Sequence, residues 1–341
     1  MVKRIKSIHL ALAYLIFIVL VGLFADFLAN EDAFTKIPSD KALDYQSILQ
    51  PAFSDGVNHL LGTDKVGRDV LAGIIHGSRT SLGIALLSMT VAAILGILIG
   101  GLSGFYGDSE FRVSSASIIT AALSIFVFWY NVIHLHFNIP GMCLGLVIII
   151  LFYGIMKATS ICKTQLRLPL DFITLKFTEV YSSIPRYFLI LAVIAFVVPS
   201  WTVFALIIGL TSWIRIARLT RGEMIKVRNS QFIDSARALG VSRTRLFFIH
   251  ALPNALGPLP YEFTFGLAGI MVVESTLSFL GLGLPADVVS WGSLLADFKK
   301  FTSAWWLAVF PGATLFITIL CLHSVGKWVD AWVNPKSIYS K

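Results

Sequence analysis

Two charged side chains stand where charge is expensive. Glu274 falls inside the apolar stretch 256–283, and Arg186 follows Pro185 inside the stretch 179–199. An ionisable group at membrane depth marks a pathway, a gate or an interhelical hydrogen bond. Glu274 can line a pathway, bond between helices or sit at the outer interface. Arg186 can form a polar wall or reach back to the headgroups. The third concentration of polar chemistry is hydrophilic: DSARALGVSRTRLFFIHALPN, residues 234–254, wedged between two long apolar segments. Its arginines, single acid and small residues suit contact with another surface rather than bond breaking. The sequence has no HExxH, no GxSxG, no acid pair at useful spacing and no GxxxxGK followed by Ser or Thr. No catalytic residue is therefore assigned, and the chain cannot hydrolyse ATP by itself through a phosphate loop. Cys143, Cys162 and Cys321 lie in or beside apolar runs with no CxxC or Cys/His cluster. They read as small packing hydrophobes, and no metal site is expected.

The elements that must position these residues are membrane spans. Of 341 residues, 56% are hydrophobic and 13% charged, which excludes an ordinary soluble domain. Apolar runs at 8–28, 82–106, 113–133, 141–158, 179–199, 201–219, 256–283 and 305–326 are each compatible with crossing a hydrocarbon core of ~30 Å. Positive charge orients them. Lys3, Arg4 and Lys6 precede the first run, so its N-terminus is cytosolic and it reads as an uncleaved helix rather than a signal peptide. Arg112, Lys157, Lys163, Arg167 and Lys176 fall on the same side. So does the most basic loop, 220–253, with Arg221, Lys226, Arg228, Arg237, Arg243 and Arg245. Eight crossings with both termini cytosolic are self-consistent. The net charge of +8 thus reflects membrane orientation, not nucleic-acid binding.

Three local patterns stand out. Gly96, Gly100 and Gly104 share one helix face, where a neighbouring helix can come close; plain packing is the preferred reading over gating. Residues 59–82 place Val66, Val70, Leu71, Ile74 and Ile75 on one stripe, with Thr63 or Asp64 as the helix cap. This amphipathic helix would lie on the outer membrane surface, either docking an extracytoplasmic partner or bracing the second span. In the basic loop, 230–239 reads as a helix, Gly240 as its left-handed end, Ser242 as the N-cap of a second helix over 243–250, and Pro253 as its stop. The helix–glycine–helix either presents a knob to a groove in a second protein or packs on its own spans.

The same loop resembles the EAA motif of binding-protein-dependent ABC transporter permeases. Asp234, Ser235, Ala236, Gly240, Leu252 and Pro253 keep its spacing, with Asp234 and Ser235 in place of Glu and Ala, and HALPN (250–254) resembles the ending of the dipeptide, oligopeptide and nickel branch. LLGTDKVGRDVLAGIIHGSRTSL (60–82), ESTLSFLGLGLP (274–285) and SWGSLLADFKKFTSAWWLAVFPGATLFITIL (290–320) are similar to its C-type permease subunit, in the family's order. The resemblance implies an all-α polytopic membrane protein of the type I ABC importer class, in a bacterial inner membrane. Its partners would be a second permease subunit, two ATPase subunits that carry ATP and Mg, and an extracytoplasmic solute-binding protein, with peptides first among substrates. The ATPase-coupling loop would comprise Asp234, Ser235, Ala236, Leu239, Gly240, Arg243, His250, Leu252 and Pro253. One departure is clear. About sixty residues separate GFYGD (104–108) from LDFITLKFTEVYSSIP (170–185) where the family runs almost directly on, so a two-span hairpin within 109–169 is inserted into a six-span core. The expected organisation is a first span and outer segment, 1–80, then a permease domain, 81–341. The alternative, a carrier driven by an ion gradient, predicts internal repeats and interrupted helices at the midplane; no convincing repeat is visible.

Overall fold

The computed structural model describes residues 2–29, 59–64, 67–108, 112–114, 165–196, 200–285 and 288–333, with single positions at 120 and 124. Helices α1 (Val2–Leu23) and α2 (Ala25–Leu28) are followed by α3 (Val70–Tyr106). Strands β1 (Arg112–Ser114) and β2 (Gln165–Arg167) precede α4 (Leu170–Ser182), α5 (Arg186–Ile194) and α6 (Trp201–Arg228). The basic loop holds α7 (Gln231–Ala238), α8 (Arg243–Arg245), a π-helical turn (Leu246–Ala251) and α9 (Leu252–Ala255). Helices α10 (Leu259–Leu280), α11 (Trp291–Phe298) and α12 (Trp306–Val333) complete the described fold.

Among the described residues four helices are long and apolar enough to cross a membrane: α3, α6, α10 and α12. The bent pair α4 and α5 makes a fifth candidate, and α1 contributes a shorter apolar stretch, Ile8–Leu23. The straight span expected over 179–199 is thus corrected to two helices broken at Ser183–Pro185. Pro185 holds extended backbone (φ −58°, ψ 128°) and lacks the N–H a continuing helix needs. Conversely, the run expected over 201–219 continues helically to Arg228. The expected hairpin spans 113–133 and 141–158 lie almost wholly outside the described residues. Val113 and Ser114 belong to β1, which pairs antiparallel with β2 (Arg112 opposite Arg167). Among the described residues, which are otherwise mostly helical, this two-stranded ribbon joins the two ends of the intervening segment.

Contacts divide the chain into a larger unit, residues 1–101 with 180–341, and a smaller one, 102–179. Residues 109–169 fall in the smaller unit. In the larger unit α10 packs on α11 and α12, and α12 packs on α1. Its core joins Ile84, Met89 and Ala92 of α3, Phe204, Ile208 and Ile216 of α6, Ile270 and Met271 of α10, and Trp291 of α11.

The amphipathic surface helix expected over 59–82 is not a separate element. Before the helix Thr63 and Asp69 pair in an isolated bridge, with Gly62 and Gly67 at φ +81° and +85°. Asp69, not Thr63 or Asp64, caps the helix: its Oδ2 accepts from the Ala72 N–H at 3.2 Å. The Asp64 carboxylate instead accepts from Arg68 Nε at 2.6 Å. The helix then runs unbroken from Val70 to Tyr106, 37 residues. Val70 and Ile74 are buried against Val289, Leu294, Trp306 and Leu307 rather than laid on lipid. The Trp306 indole N–H donates to the Thr63 carbonyl at 3.0 Å, which fixes the turn to α12.

The glycine face of α3 meets α6. A Cβ added at Gly96 would lie 2.6 Å from Ile216 Cβ, and one at Gly100 would collide with the Ala217 carbonyl. Helix α6 reciprocates at Gly209, where a Cβ would sit 2.8 Å from the Ser88 carbonyl. Ser88 Oγ donates across the seam to the Ala205 carbonyl at 2.7 Å. Gly104 is buried further along α3. Gly100→Val should therefore lower the thermal stability of the detergent-purified protein by about 1–3 kcal/mol, the usual range for overpacking. Gly83→Ala, where an added Cβ meets nothing within 4 Å, should be neutral or stabilising.

Candidate functional site

The basic loop folds as its end signals dictate. Ser230 enters α7 with extended backbone (φ −87°, ψ 148°), and Asp234 lies in the first turn, where an acid complements the helix dipole. At the far end Gly240 takes φ +79°. The Gly240 N–H donates to the Arg237 carbonyl at 3.0 Å and the Val241 N–H to the Ala236 carbonyl at 3.2 Å. These are the two bonds of a Schellman end, and they need the left-handed residue that glycine supplies without steric cost. Ser242 then precedes α8 in extended conformation. The stop expected at Pro253 is corrected: the chain stays helical through the π turn and α9, with Pro253 in the first turn of α9. A proline ring presses on the carbonyl four residues earlier. The wider π turn directly before it gives that carbonyl room.

The loop has two faces. Ile233, Leu246, Phe247 and Ala251 are buried. Phe247, Leu252 and Met224 gather around Gly101 of α3, where an added Cβ would lie 3.4–3.6 Å from all three. On the other face Asp234 and Arg237 form an exposed pair at 3.5 Å, which adds little stability. Ser235, Arg243 and Arg245 are exposed, Ala236 and His250 half-buried. Leu239, at the tip beside Gly240, is 84% exposed. The loop thus packs one side on its own spans and leaves an apolar tip uncovered.

A cavity of about 470 Å³ lies among α3, α5, α6 and α10. Arg186, Arg215 and Arg218 line it with Glu262, Phe265 and Met89. Arg186 Nη2 donates to Ser212 Oγ at 2.6 Å. Its Nε is buried and has no hydrogen-bond partner among the described residues. Arg215 Nε stands 3.4 Å from Glu262 Oε1, and its guanidinium lies 5.7 Å from the Phe265 ring centre. Phe265 also stacks on His323 at 4.6 Å. Arg218 Nη2 donates to Ser182 Oγ at 2.8 Å. Arg186 was visible from sequence; Arg215 and Arg218 were not among the candidates. Their signal is the spacing Ser212, Arg215, Arg218, which keeps polar groups near one face of α6.

Glu274 is fully buried and does not line this cavity. Ser278 Oγ donates to its carboxylate at 2.9 Å, Ser275 Oγ at 3.1 Å and Ser81 Oγ at 3.4 Å. Ser81 Oγ also accepts from the Trp291 N–H at 3.2 Å, so the carboxylate ties α10 to α3 and, through Ser81, to α11. Gly292 lets α11 approach: a Cβ there would lie 2.5 Å from Ser275 Cα. The carboxylate knot shares no residue with the loop or with the lining of the arginine cavity.

Residues 92–337 match the family model described as binding-protein-dependent transport system inner membrane component. The chain is similar to the di/tripeptide transport system permease protein of Pseudomonas aeruginosa, 26% identical over 95% of this chain and 86% of the relative. It is similar to the dipeptide transport system permease protein of Alkalihalophilus pseudofirmus, 25% identical over 98% of this chain and 88% of the relative. The oligopeptide transport system permease protein of Bacillus subtilis stands at 25% over the same shares, 98% and 88%.

The geometry around Glu274 makes a prediction of its own. Glu274→Ala strips three hydroxyls of their acceptor and should cost roughly 2 kcal/mol or more in thermal unfolding of the purified protein. Glu274→Gln keeps an acceptor oxygen and should lose less than half of that.

Proposed function

The chain belongs to the family of binding-protein-dependent transport system inner membrane components, and from that membership we propose that it is one membrane-spanning half of an ATP-driven peptide importer. It is a transport permease of the inner membrane and not an enzyme. Membership also sets aside the carrier driven by an ion gradient. The peptide reading is supported by relatives named as dipeptide, di/tripeptide and oligopeptide permeases. ATP and Mg are assigned to two separate ATPase subunits, solute capture to an extracytoplasmic binding protein, and the other half of the pathway to a second permease subunit. We read eight spans with both termini cytosolic, six of them a permease core and two a hairpin inserted within 109–169, after a first span and outer segment in 1–80.

In this reading residues 220–253 receive the ATPase stroke. One observation carries it: Leu239 stands 84% exposed at the end of a helix that buries Ile233 and packs on the π turn seated on the spans. An apolar tip on a braced stem fits the helix-in-groove mode of recognition, with the ATPase supplying the groove. Asp234, Ser235 and Arg243 flank the tip. Ala236 and Gly240 form the sharp end that presents it. His250, Leu252 and Pro253 carry the motion into α9 and on to α10. Arg186 belongs to the pathway wall, and Glu274 holds the helices behind it. The importer cycles between inward-facing and outward-facing states as the ATPases close and open.

Gly240→Trp puts a large side chain on a residue at φ +79°. Affinity purification of the tagged chain in mild detergent should recover a second permease and nucleotide-binding ATPases with the wild type. The variant should lose the ATPases selectively, and ATP-dependent peptide uptake should fall at least about tenfold. Leu239→Asp, which leaves the backbone unchanged, should do the same. Equal recovery of ATPases with both variants would remove the loop from the coupling interface.

A further inference from the structure

Arg186 is the unusual member of the cavity. Arg215 has Glu262 at 3.4 Å. No carboxylate among the described residues lies within ion-pair distance of Arg186, and its guanidinium donates to a neutral hydroxyl, Ser212 Oγ. Its Nε is buried with no partner among the described residues. A largely buried cation without an acid is costly, and the cost falls when an anion enters beside it. A guanidinium is suited to one anion above others: a planar carboxylate, held by two parallel N–H donors.

The surroundings favour a transient organic guest over a bare ion. The cavity of about 470 Å³ lies in the range of small-molecule sites. Ile214, Phe265, Ile270 and Met89 supply apolar wall. Gly269 leaves space where a Cβ would meet nothing within 4 Å. Glu262, 13% exposed and shared with Arg215, sets an acid in the same wall. Apolar lining with opposite charges is a surface on which a zwitterion with side chains can rest.

We propose that this cavity is a station for the transported solute on this permease, in which the Arg186 guanidinium holds the solute's free carboxylate while Arg215 and Glu262 stay paired beside it. The inference rests on the peptide-importer reading above and adds the group that is recognised inside the membrane. Charge-assisted hydrogen bonds are worth enough that losing this one should slow transit roughly tenfold or more.

The test uses the complete importer in proteoliposomes, with its binding protein at saturation. Uptake of trialanine is compared with uptake of trialanine C-terminal amide, for wild type, Arg186→Gln and Arg186→Lys. The binding protein is the same in all preparations, so its own preference cancels in the ratio of ratios. The expected result is a fall of about tenfold or more in acid uptake for Arg186→Gln, an unchanged amide rate, and partial recovery in Arg186→Lys, which keeps the charge but not the fork. Acid and amide slowed alike by Arg186→Gln, or neither slowed, overturns the station while leaving the importer intact. No uptake of either peptide by the wild type overturns the peptide reading, and the station with it.

Discussion

The backbone contact between α3 and α6 is the constraint on which the larger unit depends. Lipid tails are as apolar as leucine, so burying apolar surface gives little drive to bring helices together in a membrane; close packing and interhelical hydrogen bonds must do it. Gly96, Gly100 and Gly209 remove the side chains that would hold the two helices apart, and Ser88 then reaches the Ala205 carbonyl. Ile84, Met89 and Ala92 on one helix and Phe204, Ile208 and Ile216 on the other fall into a single core only because the axes are this near. The arginine cavity depends on it too, since Met89 of α3 and Ile216 of α6 line the same space.

From that seam the structure extends in two directions. At one end the carboxylate of Glu274 gathers Ser81, Ser275 and Ser278, and Trp291 docks beside them with its indole N–H on the Ile74 carbonyl at 3.0 Å. A buried acid supplied with hydroxyl donors acts as a joint between helices that have little other reason to stay in register. At the other end Phe247 and Leu252 reach Gly101 of α3 and Met224 of α6. The basic loop is therefore seated on the same pair of helices.

What was legible in the sequence was local. Hydropathy marked α3, α6, α10 and α12, because a span must be apolar over its whole length whatever it packs against. The turn at Gly240 and the helix-entry residue Ser242 were readable from residue type alone, since backbone conformation there is set within a few residues. The glycine face of α3 was visible, but its partner Gly209 was not, because nothing in a linear sequence says which helix comes near. Start and stop signals failed where tertiary structure overrode them. Asp69 rather than Thr63 or Asp64 caps α3, since those two are engaged in the preceding turn. Pro253 does not end its helix, since a π turn makes room for it. The break before Pro185 was signalled by the proline itself and hidden by the apolar run around it. The cavity was out of reach: Arg186, Arg215 and Glu262 come from three helices, and only their juxtaposition gives Arg186 its meaning.

Helix α3 is one unbroken rod of 37 residues, about 55 Å at 1.5 Å per residue. One end carries Ile74, whose carbonyl holds Trp291, and Gly101 near the other end carries Phe247 of the loop. Described from end to end without a proline or a break, the rod has no interrupted turn of the kind that kinks a helix. In the importer proposed above such a rod would serve as an interlock, coupling the closing of one mouth to the opening of the other.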